Sequence, residues 1–172
     1  MPDDLKRYIR EIPDFPAPGV LFRDITPLLA EPAALRAALD ALAGWAAARR
    51  PTVIAAIESR GFVFGAPLAL RLDVGFVPIR KPGKLPWEKL EESYVLEYGH
   101  GRIEMHRDAI GADQRVLVID DLLATGGTAS AAVRLARRCG GEVVGALFLI
   151  ELTALKGRAL LDGTEVHSII QY

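Results

Sequence analysis

The sequence predicts an α/β fold in which a central, mostly parallel sheet is flanked by helices. Short, uninterrupted apolar runs recur along the chain, and helical patterns separate them. Strands that are apolar throughout, rather than alternating, belong to sheets covered on both faces, which are parallel sheets with helical crossovers. A further observation concerns function. Three of the runs end in polar loops, "ESRG", "RKPGK" and "DDLLATGG". In open parallel sheets, ligands bind beyond the carboxyl ends of the strands.

Taken in order, "PAALRAALDALAGWAA" opens with Pro32, whose fixed φ suits a first helical turn. It repeats Leu35, Leu39, Leu42 and Trp45 at helical spacing. "TVIAAI", Thr52 to Ile57, is a short buried strand leading into "ESRG". "GAPLALRL" reads as a helix, and "VGFVPI", Val74 to Ile79, as a second buried strand leading into "RKPGK". "SYVLEYG" and "GRIEMHRD" read as more exposed strands around a turn at Gly99 to Gly101. "RVLVID" is the clearest buried strand. "TASAAVRLARRC" is a helix with arginines near its end, where the helix dipole favours cations. "GEVVGALFLI" reads as a long final core strand. No repeat, low-complexity segment or linker interrupts the pattern, so one domain over residues 1–172 is expected.

Composition narrows the function. A chain of 172 residues, 51% hydrophobic, has material for one core. The formal net charge of -1 gives no electrostatic reason to expect a nucleic acid or a membrane surface as partner. The first ten residues are charged and carry no apolar signal region, and no run approaches the length of a membrane helix. A cytoplasmic location is expected. Cys139 is the single cysteine, which excludes an internal disulfide or a cysteine-cluster metal site. His100, His106 and His167 lack metal-ligand spacing. Glu142 and Glu151 read as structural.

The stretch "VLVIDDLLATGGTA", Val116 to Ala129, carries the chemistry. Ala124, Thr125, Gly126, Gly127 and Thr128 offer successive backbone N–H groups and two hydroxyls at the start of a helix. This suits a phosphate dianion. Asp120 and Asp121 would repel that phosphate, so they belong to another part of the ligand. Vicinal sugar hydroxyls or a hydrated Mg²⁺ fit them. A phosphate beside hydroxyls describes a ribose 5-phosphate. A structural turn and cap would use the same residue types. The Walker-type reading lacks its phosphate loop.

The same stretch resembles the phosphoribosyl pyrophosphate signature of the type I phosphoribosyltransferases. "FPAPGVLFRDITPLL", "ESRGFVFG", "RKPGKLP", "SYVLEYG" and "ELTALKGR" follow in the order found in the adenine branch of that family. The resemblance covers nearly all of Phe15 to Tyr172. It implies transfer of a phosphoribosyl group from phosphoribosyl pyrophosphate to adenine, giving AMP and pyrophosphate with Mg²⁺, in a homodimer. It also implies a small N-terminal base-binding hood, about residues 1–35, and a mobile lid, about residues 83–101.

Site roles follow from the resemblance. Asp120 and Asp121 would hold the ribose hydroxyls, directly or through metal, and Ala124 to Thr128 the 5-phosphate. Ser59, Arg60 and Gly61 would address the pyrophosphate, in a loop for which the family implies a strained peptide. Arg80, Lys81 and Lys84 would add positive charge. Glu97 maps to the family's catalytic glutamate, with Tyr98 beside it, and Tyr94 would close over the pyrophosphate. The main-chain groups of Leu21 and Arg23 would read the adenine edge, with Phe22 near the purine. Two alternatives stand beside this reading. One is a phosphoribosyltransferase for another purine base, against which "GVLFRDI" and "SYVLEYG" argue. The other is a non-catalytic regulator that senses phosphoribosyl pyrophosphate. That alternative calls for a DNA-binding domain and a basic face, whereas fewer than 52 residues precede the first core strand here.

Overall fold

A computed structural model of the chain describes residues 2–95 and 100–172. Its centre is a five-stranded parallel sheet with the order β4-β3-β7-β8-β9. The strands are β3 (Val53–Ile57), β4 (Gly75–Ile79), β7 (Arg115–Leu123), β8 (Glu142–Glu151) and β9 (Val166–Gln171). Two antiparallel pairs stand apart from it: β1 (Arg10–Pro13) with β2 (Leu21–Asp24), and β5 (Lys89–Val95) with β6 (His100–His106). The helices are α1 (Pro2–Lys6), α2 (Thr26–Ala30), α3 (Pro32–Ala47), α4 (Gly61–Leu72) and α5 (Gly127–Arg138). No helix among the described residues is long and apolar enough to cross a membrane.

The expectation of a parallel sheet covered on both faces is borne out, and the side-chain alternation shows why. Ile54 and Ala56 of β3, Leu117 and Ile119 of β7 and Leu147 of β8 point to one face, where α3 and α4 pack. Val53, Ala55 and Ile57, with Val116, Val118, Ala146 and Phe148, point to the other, covered by α5 and the inner side of β6. Each central strand is buried on both sides, so its sequence carries no polar alternation. Helix α4 approaches the sheet closely because Gly65 has no side chain. A Cβ there would lie 2.5 Å from Ala56 Cβ.

The sequence reading needs four corrections. "GEVVGALFLI" is not the last core strand, because β9 adds an edge strand beside it. The residues of β9 mix His167 and Ser168 with Ile169 and Ile170, which masks the apolar run. Helix α4 starts at Gly61, four residues before "GAPLALRL". The hairpin strand β5 begins at Lys89, ahead of "SYVLEYG". The N-terminal segment holds α1, β1, β2 and α2, none of which shows enough periodicity to be read from sequence.

At the amino-terminal rim, far from the polar loops, Arg49 lies 3.7 Å over the Trp45 ring, and Trp45 stacks on His167 with centroids 5.2 Å apart. Arg49 also pairs with Glu165. Burial and the nearby Arg158 and Arg49 charges hold the His167 imidazole below its ordinary value of 6.5. The folded protein therefore binds this proton less readily than the unfolded chain, so stability is lost as pH falls through that ordinary value. Thermal unfolding between pH 7.5 and 5.5 should show a midpoint that drops toward acid, to a smaller extent in His167→Phe; equal slopes would exclude His167 as the source.

Candidate active site

Because β3, β4, β7 and β8 are parallel, the polar segments after them share one rim. Strand β7 runs through Asp120 and Asp121 to Leu123, and the loop from Ala124 leads into α5. This loop, with Asp120, Leu122 and Leu123, lines a cavity of about 80 Å³ that continues to Ala129. The first N–H groups of α5 have no intrahelical acceptor, and they add a positive dipole end at this cavity. Gly126 caps α5 with φ +87°, a conformation few side-chain-bearing residues adopt. Thus Ala124 to Thr128, the residues expected from sequence to meet a phosphate, line a concave site.

The two aspartates are placed differently. Asp120 Oδ1 accepts the Asp121 N–H at 2.8 Å, and the side chain keeps part of its surface open. Its surroundings are otherwise crowded. Desolvation first, and the Asp121 charge second, push its carboxyl well above the usual range. Asp121 is 3% exposed, and its Oδ2 lies 2.7 Å from Arg60 Nε. The angle falls outside hydrogen-bonding geometry, so the contact is an ion pair and this oxygen lacks a hydrogen-bond donor. Burial also raises the Asp121 carboxyl, against the opposing Arg60 charge.

Gly61 accounts for the close approach of α4 to this strand. A Cβ at Gly61 would lie 3.0 Å from both Asp120 Oδ1 and the Ile119 carbonyl. Its neighbours Ser59 and Arg60 form the turn after β3, and the Glu58–Ser59 peptide is cis. The Arg60 guanidinium stands 5.3 Å over the Phe22 ring. It therefore links the rim to the β1–β2 ribbon.

A second, larger cavity of about 920 Å³ opens between β2 and the rim. Leu21, Phe22 and Arg23 line one side, and Arg60, Leu122, Ala124 and Thr125 line the floor. Gly19 and Val20, the first residues of "GVLFRDI", also line it, and sequence reasoning missed Pro18, Leu152, Ala154, Leu155 and Tyr172, which complete its walls. "ELTALKGR" signalled Leu152 to Leu155 only as part of a resemblance. The Arg23 side chain stacks 3.7 Å from the Tyr172 ring and pairs with Glu11. Its charge is thereby occupied. Strand β2 has a sheet partner on one side only.

Other predicted residues lie outside these two cavities. Arg80 Nε donates to Glu58 Oε2 at 3.0 Å, and the Lys81 N–H reaches the same oxygen at 3.0 Å. Burial alone would raise the Glu58 carboxyl, but these donors together hold it below its usual range. Lys81 and Lys84 are exposed. Glu104, 1% exposed, accepts the Gly83 N–H at 3.2 Å and pairs with Lys89 at 3.0 Å. Glu58 and Glu104 thus fix the basic loop. Glu58 opens the "ESRG" loop and Glu104 lies within β6; neither has a role legible in the sequence, because a glutamate without a visible partner reads as solvated. Tyr94 packs beside Gly101 of β6 and Gly127 of α5, and the hairpin is fastened to α5 by Arg134 and Arg138, which pair with Glu92. Glu97 and Tyr98 lie outside the described residues. His106 Nε2 is buried without a hydrogen-bond partner, and the His106 carbonyl accepts Cys139 Sγ at 3.8 Å.

Comparison with known proteins establishes the family of the chain that carries this arrangement. The family model described as "Phosphoribosyl transferase domain" matches residues 25–169. The adenine phosphoribosyltransferase of Gloeobacter violaceus is 58% identical over 170 residues, spanning 98% of this chain and 99% of that protein. The chain belongs to the adenine phosphoribosyltransferase family. A crystal structure of the adenine phosphoribosyltransferase from Thermoanaerobacter pseudethanolicus superposes with a TM-score of 0.98 at 51% identity, covering all of both chains. The Saccharomyces cerevisiae enzyme matches with a TM-score of 0.91 at 37% identity, over 98% of this chain and 97% of that one. It was crystallised with D-2,5-dideoxy-2,5-imino-altritol 1,6-bisphosphate and adenine. The type I phosphoribosyltransferase fold expected from sequence is therefore the observed one.

The Gly61 contact yields a test. Gly61→Ala should push Asp120 and the end of β7 away from α4 by a fraction of an ångström; because a misplacement of about 1 Å costs about 10²-fold, turnover should fall by less than that, about severalfold. Steady-state rates at saturating substrates would show it; an unchanged rate would mean that the approach of α4 does not position Asp120.

Proposed function

We infer that the protein transfers the 5-phosphoribosyl group of phosphoribosyl pyrophosphate to adenine, giving AMP and pyrophosphate, a purine salvage reaction. The observation that carries this reading is the join between the two cavities. Leu122, Ala124 and Thr125 line both the small cradle and the large space beneath β2. A nucleotide has this shape, with its phosphate in one compartment and its base in the other.

In the proposed chemistry, adenine N9 forms a bond to the ribose anomeric carbon as the bond to pyrophosphate oxygen breaks. The N9 proton departs, and the bonding electrons leave with pyrophosphate. Positive charge gathers on the sugar, so preorganised electrostatics and positioning supply most of the acceleration. The 5-phosphate sits on the N–H groups of Ala124 to Thr128. Asp120 accepts ribose hydroxyl protons, and the acidic end of β7 favours the cationic sugar. Arg60 is shared between Asp121 and the leaving pyrophosphate, assisted by Ser59. Arg80, Lys81 and Lys84 raise the positive potential along the approach, on a loop held by Glu58 and Glu104. The main-chain groups of Leu21 and Arg23 read the exocyclic amino edge of adenine. A keto group there would leave a buried acceptor unpaired, which discriminates strongly against hypoxanthine. Glu97 takes the N9 proton or stabilises the reactive tautomer, with Tyr94 and Tyr98 closing over the pyrophosphate. The N-terminal segment to about residue 35 acts as the hood, and residues 83–101 act as the lid.

Mg²⁺ fits the donor set. Among the described residues no group of three potential ligands gathers, while Asp120 and Asp121 supply hard oxygen donors. That pattern suits an ion held by one or two carboxylates together with water and substrate oxygens. When bound, the ion offsets charge on the pyrophosphate. Assembly as a homodimer in the cytoplasm is part of the same reading.

Incubation with phosphoribosyl pyrophosphate, Mg²⁺ and each of adenine, guanine, hypoxanthine and xanthine should give AMP alone. A different nucleotide would overturn the base assignment, and no product with retained phosphoribosyl pyrophosphate binding would favour a sensor. Glu97→Gln should lower kcat by about 10²-fold, the scale of general acid–base catalysis. A change confined to KM would assign it to ground-state binding instead.

A further inference from the structure

A buried polar cluster stands behind the phosphate cradle, outside both cavities. Glu151, the last residue of β8, is 3% exposed. Its two oxygens accept Arg158 Nε and Nη2, each at 2.6 Å, and Ser168 Oγ donates to Oε2 at 2.5 Å. Arg158 also donates to the Val166 carbonyl at 2.7 Å and to Ser168 Oγ at 3.2 Å. A bidentate fork of this kind fixes direction as well as distance. Arg158 follows Gly157 directly, and Gly157 is pressed against the cradle. A Cβ on Gly157 would come 3.1 Å from the Gly126 N, and one on Gly126 would come 3.0 Å from the Gly157 Cα. Backbone meets backbone there with no side chain between them, so a displacement of Gly157 passes directly to Gly126.

We propose that Glu151 and Arg158 are positioning residues for the phosphate end of the substrate: through the Gly157 backbone they fix where Gly126 holds its N–H. The proposal rests on the assignment of the cradle to the 5-phosphate of phosphoribosyl pyrophosphate. Strand β8 itself is held independently of the Glu151 side chain. The Tyr172 N–H donates to the Glu151 carbonyl at 3.0 Å, and the Leu152 N–H donates to the Leu123 carbonyl at 2.9 Å. Loss of the carboxylate therefore acts on Arg158 and Gly157, which abuts the Ala124 carbonyl and the Gly126 N, and leaves Leu152 on the adjoining wall of the base cavity in place. The consequence is asymmetric. Recognition of the phosphate weakens and recognition of the base does not.

The test compares wild type with Glu151→Gln and Arg158→Lys in the full-length protein. It measures kcat and KM for both substrates, and the inhibition constant of ribose 5-phosphate against phosphoribosyl pyrophosphate. In Glu151→Gln, KM for phosphoribosyl pyrophosphate and the ribose 5-phosphate constant should rise together by about tenfold, with KM for adenine within about twofold, the signature of lost binding at one end only. Arg158→Lys keeps the charge without the fork and should fall between. Unchanged constants overturn the proposal. So does a lowered melting temperature with a smaller active fraction and unaltered KM, which is what a purely structural cluster gives. Should Glu151→Gln fail to fold, Arg158→Gln carries the same measurement, because the Arg158 side chain is 42% exposed and its loss opens no sealed core. If wild type forms no AMP, the functional assignment fails separately. Calorimetric binding of ribose 5-phosphate to the same variants then still decides whether the cluster sets the cradle.

Discussion

The parallel register of β3, β7 and β8 is the constraint on which everything at the rim depends. Ala56 lies beside Ile119, and Asp120 beside Phe148. With these pairs aligned, the turn after β3, the acidic end of β7 and Glu151 emerge at one level. Two of the following segments are helices, α4 and α5, and both point their amino ends toward the same opening. Burial on both sheet faces fixes the register, since a slip of one residue would exchange the two apolar sets between the two cores.

Around that rim, buried acids are matched individually with bases: Asp121 with Arg60, Glu104 with Lys89, and Glu151 with Arg158. Partly buried Glu58 has Arg80. Such pairs add little net stability, because desolvation offsets much of the attraction. What they supply is direction. Each carboxylate also accepts, or stands beside, a backbone or hydroxyl group of a neighbouring loop, so the loops are oriented by fixed charges where no large core could hold them.

Much of this was legible in the sequence, and the parts that were not share a physical reason. The central strands announce themselves because they are buried on both sides. "VLVIDDLLATGGTA" announces a buried strand, a polar turn and a helix start, because the apolar run breaks at paired aspartate and glycine and threonine follow. Strand β9 stayed hidden because its edge position admits His167 and Ser168 among the isoleucines. The β1–β2 ribbon stayed hidden because a short two-stranded element, part-exposed throughout, has no burial period to display. Glu58, Glu104 and Glu151 could not be weighed from spacing, since their partners lie 7 to 23 residues away and meet them only in the fold. The larger cavity draws its walls from both ends of the chain, Pro18 to Arg23 and Leu152 to Tyr172, and no local window contains both.

The stretch from Leu122 to Thr125 borders both cavities, and its near end is tied into the sheet. A segment held in this way behaves as a ruler. The span from the anion seat to the floor of the upper chamber is set by a few covalent bonds that cannot stretch. If the proposed nucleotide placement holds, molecules are sorted there by length as well as by chemistry. An analogue with one extra methylene between sugar and phosphate would match either seat alone and could not fill both at once.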